Sequence, residues 1–312
     1  MTDYVTPPLA CSYNVAMLPV EVTAMYQLSL ETRSNIIRAL VDGNSIRGTA
    51  RIVGVDRETV MNLGVAVGDG CAVMHDRLVR GVAARFIELD EIWSFIGKKA
   101  KRVEPGFDPW FYGDAYTFVA LDAETKLGIS YLTARRTPAD TQSFVFDLRD
   151  RVTGRPQIST DGWVPYVNSI CDAFEGNVDH GVMVKSYESD ASNNAPAARR
   201  YSPGRVISAD RQMVTGNPID DRINTAYVER QNLTMRMCMR RFTRLTNGFS
   251  RKRENLVAAV ALHFGWYNWV RIHETLRVTP AMAAGLSTRV WSIEELVSFA
   301  LSMPRSGEKS AA

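Results

Sequence analysis

From Glu31 onward, apolar positions recur at helical spacing through RSNIIRALVDG, with Ile36, Ile37, Leu40 and Val41 on one face and Gly43 as a stop. The next stretch, NSIRGTARIVGVDRETVMNLGVAVGDG, predicts a short helix from Ser45 to Val53, a turn at Gly54 and a second helix capped by Asp56. That is helix-turn-helix spacing, although a plain three-helix packing module shares it. Between Asp69 and Ala84 the periodicity weakens, and from Arg85 it changes to strands. RFIELDEIWSFI reads as the first strand, and YTFVALDAETKLGISYLTAR as a hairpin turning at Ala-Glu-Thr-Lys. Thr137 and Pro138 open a helix over TQSFVFDLRDRV, PQISTDGW gives a short strand, a helix follows around 165–174, and HGVMVKSY is another strand. Residues 188–218 are polar and rich in Ala, Ser, Asn, Pro and Gly, which predicts a long loop or insertion. Long helices are expected over about 220–242 and 253–271. The pattern divides the chain into an N-terminal segment (1–30), a helix-turn-helix domain (31–78), a linker (79–84), an α/β domain (85–275) and a C-terminal tail (276–312).

Composition narrows the class without deciding it. The 312 residues are 46% hydrophobic and 23% charged, which suits a chain with one large and one small domain. A formal net charge of +3 argues only weakly for a nucleic-acid partner, but the distribution is uneven: Arg236 to Arg253 carries Arg and Lys throughout and no acid. Cys11, Cys71, Cys171 and Cys238 are scattered, so they form no zinc motif and are expected to be reduced, mostly buried thiols. No secretory signal pattern opens the chain, and 256–270 is too short to span a bilayer, so a cytoplasmic, nucleoid-associated protein without a membrane partner is expected.

The acids carry the chemistry. Strand, strand, strand, helix, strand, helix, strand and late helix is the element order of a ribonuclease-H-like mixed five-stranded sheet with helices, here preceded by a small all-α helix-turn-helix domain. In that arrangement Asp90 in the first strand, Asp161 at the end of the strand after the first helix, and Glu229 in the late helix converge at one rim. Three such carboxylates repel one another until cations neutralise them. Oxygen ligands suit Mg²⁺ or Mn²⁺, and two such ions about 3.5–4 Å apart serve phosphodiester cutting and joining. Alternation along the first strand leaves Glu88 and Asp90 both open as the ligand and places Glu91 on the other face with Ile87, Leu89 and Trp93. Asp161-Gly162 has a bland counterpart, an ordinary turn, in which Gly162 would serve no close approach to a metal. In the late helix Glu229, Leu233, Arg236 and Arg240 share a face, so the arginines can reach phosphates beside the scissile bond; a solvated Glu/Arg face gives the same pattern.

Together LDEIWSFIGKK (89–99), TDGWVPY (160–166), YVERQNLTMR (227–236), RLTNGFSRK (244–252) and YNWVRIHETLRVTPAMAAGL (267–286) resemble the DDE transposases of IS1-type insertion sequences, and SIRGTARIVGVDRETV (45–60) resembles their DNA-binding segment. The resemblance implies Asp90, Asp161 and Glu229 as a catalytic, metal-holding triad, chosen over Glu88, and two Mg²⁺ or Mn²⁺ ions. It implies cleavage at the ends of an element and transfer into target double-stranded DNA by a homodimer or higher oligomer. DNA contacts are expected from Arg47, Arg51, Arg57 and Thr59 around the helical turn, from Lys98 and Lys99, and from Arg236, Arg240, Arg251 and Lys252, with His273 as a possible accessory or a capping residue. The four-cysteine finger typical of that family is absent from the cysteine spacing, and the 188–218 segment is longer than usual. The alternatives are a DNA-binding regulator with an inactive transposase-like domain and a ribonuclease-H-like nuclease that cuts without joining.

Overall fold

The computed structural model describes residues 28–108, 111–187, 206–244 and 246–303. Expectations for 1–27, for 188–205 and for 304–312 lie outside these residues. Three helices come first. α1 (Leu30–Val41) is capped by the Ser29 hydroxyl, α2 (Ile46–Val53) by that of Ser45, and α3 (Arg57–Leu78) by the Asp56 carboxylate. Gly54, at φ 75°, ends α2 in the left-handed conformation that a side chain would strain, and this makes the corner into α3.

A six-stranded sheet follows, one strand more than expected. Its order is β3-β2-β1-β4-β5-β6, built from β1 (Phe86–Ile96), β2 (Gly113–Asp122), β3 (Gly128–Ala134), β4 (Gln157–Thr160), β5 (Asp179–Tyr187) and β6 (Val206–Thr215). β1, β4 and β5 run parallel, and β2, β3 and β6 pair antiparallel to their neighbours. The extra strand falls inside the 188–218 segment. β6 is an edge strand exposed over nearly its whole length, so its residues lack the buried alternation that marks a strand, and backbone pairing to β5 sets it in place.

The sheet lies between helices. On one face Leu89 and Phe118 share a core with Phe144 and Leu148 of α4 (Pro138–Arg151) and with Tyr166 and Ile170 of α5 (Pro165–Phe174). On the other, Ile92, Val119 and Leu121 pack with Val228 and Met235 of α6 (Ala226–Cys238) and with Val260 and Phe264 of α7 (Arg253–Trp269). The single helix expected over 220–242 is thus shorter, with Arg240 lying beyond it in a 3₁₀ turn at Arg240–Phe242. α8 (Pro280–Ala283) and α9 (Ile293–Ser302) lie within the region read as a tail, and Leu296, Val297 and Ala300 of α9 share the first core with Val67, Cys71 and Met74 of α3. Among the described cysteines Cys71 is buried, Cys238 half-buried and Cys171 exposed, and all three are free thiols. No helix of the described residues is long and apolar enough to cross a membrane.

Candidate functional site

β4 ends at Thr160, and its pairing with β1 stops at Glu88 and Ser159. Past that point β1 has no paired neighbour on this side until Ile96 bridges to Ser250, so side chains from both of its faces reach around the open stretch of edge between them. Asp90 and Glu91, which alternation sends to opposite faces, therefore meet Asp161 there. Ligand oxygens of these three acids lie within 4.8 Å of one another. Glu91 is the member that the sequence reading left without a role.

Each acid is held by a different device. Asp90 accepts a hydrogen bond from Asn232 Nδ2 of α6 at 2.8 Å. Asp161 Oδ1 accepts from the Trp163 backbone N–H at 2.9 Å, closing the turn after β4. A Cβ at Gly162 would meet open space, so the glycine marks no close approach. The Glu91 side chain is only 3% exposed, and the Arg136 guanidinium bridges it to Asp161 at 3.2 and 3.3 Å. Arg136, in the short link between β3 and α4, lies 4.2 Å over the Trp163 ring. The sequence offered no signal for Arg136 beyond its charge.

Glu229 approaches from α6 without joining the 4.8 Å group. Its Oε1 pairs with the Lys185 ammonium of β5 and accepts from Thr225 Oγ1 at 2.7 Å. Its charge still reaches Asp90 and Glu88, adding to the burial that pushes both carboxyls upward. Glu88 has a separate task. Its Oε2 accepts the Tyr227 and Val228 backbone N–H groups at 2.7 and 2.9 Å, so this strand acid caps the first turn of α6 and sets where Glu229 and Asn232 emerge.

Electrostatics mark the same place. Burial pushes the Glu91 carboxyl up to about 7, and the Asp161 charge adds to this while Arg136 opposes it. Burial likewise raises Asp90 to about 6, with the Asp161 and Glu229 charges adding to it. Around these acids Arg136 Nε and Asn232 Oδ1 are buried without a hydrogen-bond partner, and the Tyr166 hydroxyl faces the Glu91 carboxylate. An all-oxygen donor set and mutual repulsion together fit a hard divalent cation such as Mg²⁺ or Mn²⁺.

The remaining expected residues are dispersed. Arg236 is half-buried near Asp90; burial and Arg244 lower its pKa, and Asp90 opposes them. Arg47, Arg51 and Arg57 are exposed on α2 and at the start of α3, with Thr59 half-buried beside them. Lys98 pairs with Glu104 at 3.2 Å, while Lys99 lies over the Trp93 and Phe95 rings. Arg240, Arg251 and Lys252 are exposed, and Lys252 reaches Glu254 at 3.8 Å. His273 Nδ1 bonds to Thr275 Oγ1 at 3.0 Å inside a tight 273–278 turn, so its ring braces that turn.

No family model matches the sequence, and no curated protein does. Among solved structures the chain is similar to the piggyBac transposase synaptic complex with hairpin DNA, at 10% identity and a TM-score of 0.36 over 87% of this chain and 69% of that one. It is also similar to the Mos1 transposase paired-end complex with left transposon end, at 16% identity and 0.22 over 58% and 61%. For the Mos1 strand transfer complex the values are 14% identity and 0.23 over 84% and 79%.

Proposed function

We propose that this chain is a DDE-type DNA transposase of an insertion element, of the IS1 kind that its sequence motifs resemble, and that it cuts and joins DNA strands with divalent cations held by Asp90, Asp161 and Glu229, aided by Glu91. The observation that carries this reading is the convergence of Asp90, Glu91 and Asp161 at the open edge of β1, with Glu229 facing them from α6. A binding protein gains nothing from gathering buried, mutually repelling carboxylates. Two Mg²⁺ or Mn²⁺ ions, when bound, supply the Lewis acidity that activates a water or 3′-hydroxyl and stabilises the leaving oxygen.

The chain's own groups prepare that chemistry. Asn232 orients Asp90, the Trp163 N–H fixes Asp161, and Glu88 anchors the helix turn that presents Glu229. Arg136 and Lys185 counter the acids' charge in the cation-free protein, which limits the repulsion that would spread them. Arg236, beside Asp90, is placed to meet a phosphate flanking the scissile bond. The exposed arginines of α2 and α3 are the proposed contacts to duplex element ends, in a homodimer or larger assembly.

The test is strand cleavage and joining on duplex DNA carrying the element's terminal sequences, with Mg²⁺ or Mn²⁺. Asp90→Asn, Asp161→Asn and Glu229→Gln are each expected to lose at least about a hundredfold in both steps, on the scale of removing a transition-state electrostatic contact. Near wild-type activity in any one of them removes that residue from the triad. Cutting without joining identifies a nuclease, and DNA binding with neither step identifies a regulator.

A further inference from the structure

Beyond Glu91, β1 carries an aromatic surface that the acid chemistry does not use. Trp93 and Phe95 follow Glu91 on the same face, and the antiparallel register puts Tyr116 of β2 opposite Trp93. The reverse face is closed at this level, where Ile92, Ile96 and Val119 are buried beneath α6 and α7. On the aromatic face, helix cover is present at Phe118, opposite Glu91, which packs on Phe144 at 5.4 Å. One step on, Trp93 is 39% exposed.

The rings form a connected row with cations set against them. Trp93 and Phe95 centroids are 5.7 Å apart, and Phe95 meets Phe249 at 4.7 Å. Lys99 Nζ lies 5.3 Å from the Trp93 centroid and 5.7 Å from that of Phe95. Next to this row, Tyr112, Tyr116, Arg135 and Arg136 line a cleft of about 530 Å³. Its one acid, Asp114, is engaged by the Ala100 N–H at 3.0 Å. Arg136 joins the cleft to the acid cluster, since it is 5.9 Å from Tyr116 while bridging Glu91 and Asp161.

A purely apolar partner would leave these cations without a role, and a compact anion would leave the rings without one. An unpaired nucleic-acid strand uses both, because each base offers a π-face to an aromatic ring while its phosphate meets a cation; duplex bases are already stacked on one another. We propose that this platform binds an unpaired DNA strand next to the acid cluster, with bases stacked on Trp93, Phe95 and Tyr116 and phosphates held by Lys99 and Arg135. The choice of DNA rests on the function proposed for the acids.

The experiment uses the full chain in EDTA and fluorescence anisotropy with two labelled probes, an oligo(dT) of about 15 nucleotides and a duplex of equal length. Trp93→Ala and Lys99→Ala should each weaken oligo(dT) binding by about five- to a hundredfold and duplex binding by no more than about twofold. Trp93→Phe, which keeps a stacking ring, should stay within about threefold of wild type. Unchanged oligo(dT) affinity, equal loss on both probes, or no oligo(dT) binding by the wild type would overturn the proposal. So would a change in molar mass by light scattering with oligo(dT) affinity intact, which would make this face a contact between copies. Should Trp93→Ala fail to fold by circular dichroism, Lys99→Ala decides. Wild-type protein that shows Trp93-dependent oligo(dT) binding but no strand cleavage sinks the catalytic reading alone, and the converse sinks the platform alone.

Discussion

Three acids of β1, Glu88, Asp90 and Glu91, are pushed up by burial to about 7, 6 and 7 from ordinary values of 4.5, 3.8 and 4.5. Between those limits these three acids hold more protons in the folded chain than in the unfolded one, so their own contribution to stability is greatest at the acidic end and declines toward neutrality. The buried His75, His180 and His263, lowered to about 4, 4 and 3, contribute in the opposite direction. Divalent cations favour the ionised acids and oppose that decline. Measured in EDTA, the unfolding midpoint of wild type relative to that of Glu91→Gln, a difference in which the histidine contribution cancels, should therefore fall between about pH 4.5 and 7.5, and Mn²⁺ should recover it near pH 7. A difference that rises over that interval would contradict burial as the cause of the upward push on Glu91. Glu88 makes a distinct prediction. Glu88→Ala leaves the Tyr227 and Val228 N–H groups without their acceptor, at a cost of about 1–3 kcal/mol measurable by urea unfolding. Asp90 and Asp161 were legible in the sequence because each pairs an acid with a strand that delivers it to a sheet edge. Glu91 was not, because alternation assigns its face but does not tell where the neighbouring strand stops. Arg136 was equally hidden, since its partners Glu91 and Asp161 lie 45 and 25 positions away in the chain.

At the scale of elements, helix starts were the readable part: Ser45, Asp56 and Thr137 all accept the N-terminal N–H groups that their residue types suggest. Helix α6 ran shorter than its pattern because the chain turns into a 3₁₀ segment at Arg240–Phe242, which periodicity does not separate from a continuing helix. β6 escaped notice for the opposite reason, as exposure removed its alternation. Sequence also gave little warning of how tightly α3 docks. A Cβ on Gly68 would sit 2.2 Å from the Ala258 carbonyl oxygen of α7, and one on Gly70 would sit 2.0 Å from that of Ala300 in α9. Those contacts are with backbone, which cannot swing away as a side chain does. Gly68→Ala and Gly70→Ala should each destabilise by about 1–3 kcal/mol in chemical denaturation, despite the higher helix propensity of alanine. A neutral or stabilising result would show that α3 can move off its neighbours without loss.

Across the whole molecule, the same docking ties the N-terminal helices to the sheet. Val67, Cys71 and Met74 of α3 are fully buried in a core that also contains Ala261 of α7 and Leu296 of α9. A peptide of residues 28–78 would expose that surface to water and should show weak, non-cooperative helicity by circular dichroism. Cooperative melting of the peptide would mean that the three helices fold as an independent domain. In the intact chain, α3 thus ties the exposed starts of α2 and α3 to the same packed core as the sheet that carries the acid edge. If Arg51 meets a duplex phosphate, Arg51→Ala should lower duplex affinity similarly for every sequence tested. It should also reduce the slope of log affinity against log salt by about one. An unchanged slope would remove Arg51 from the duplex surface, whereas sequence-selective loss would assign it to base reading instead of phosphate contact.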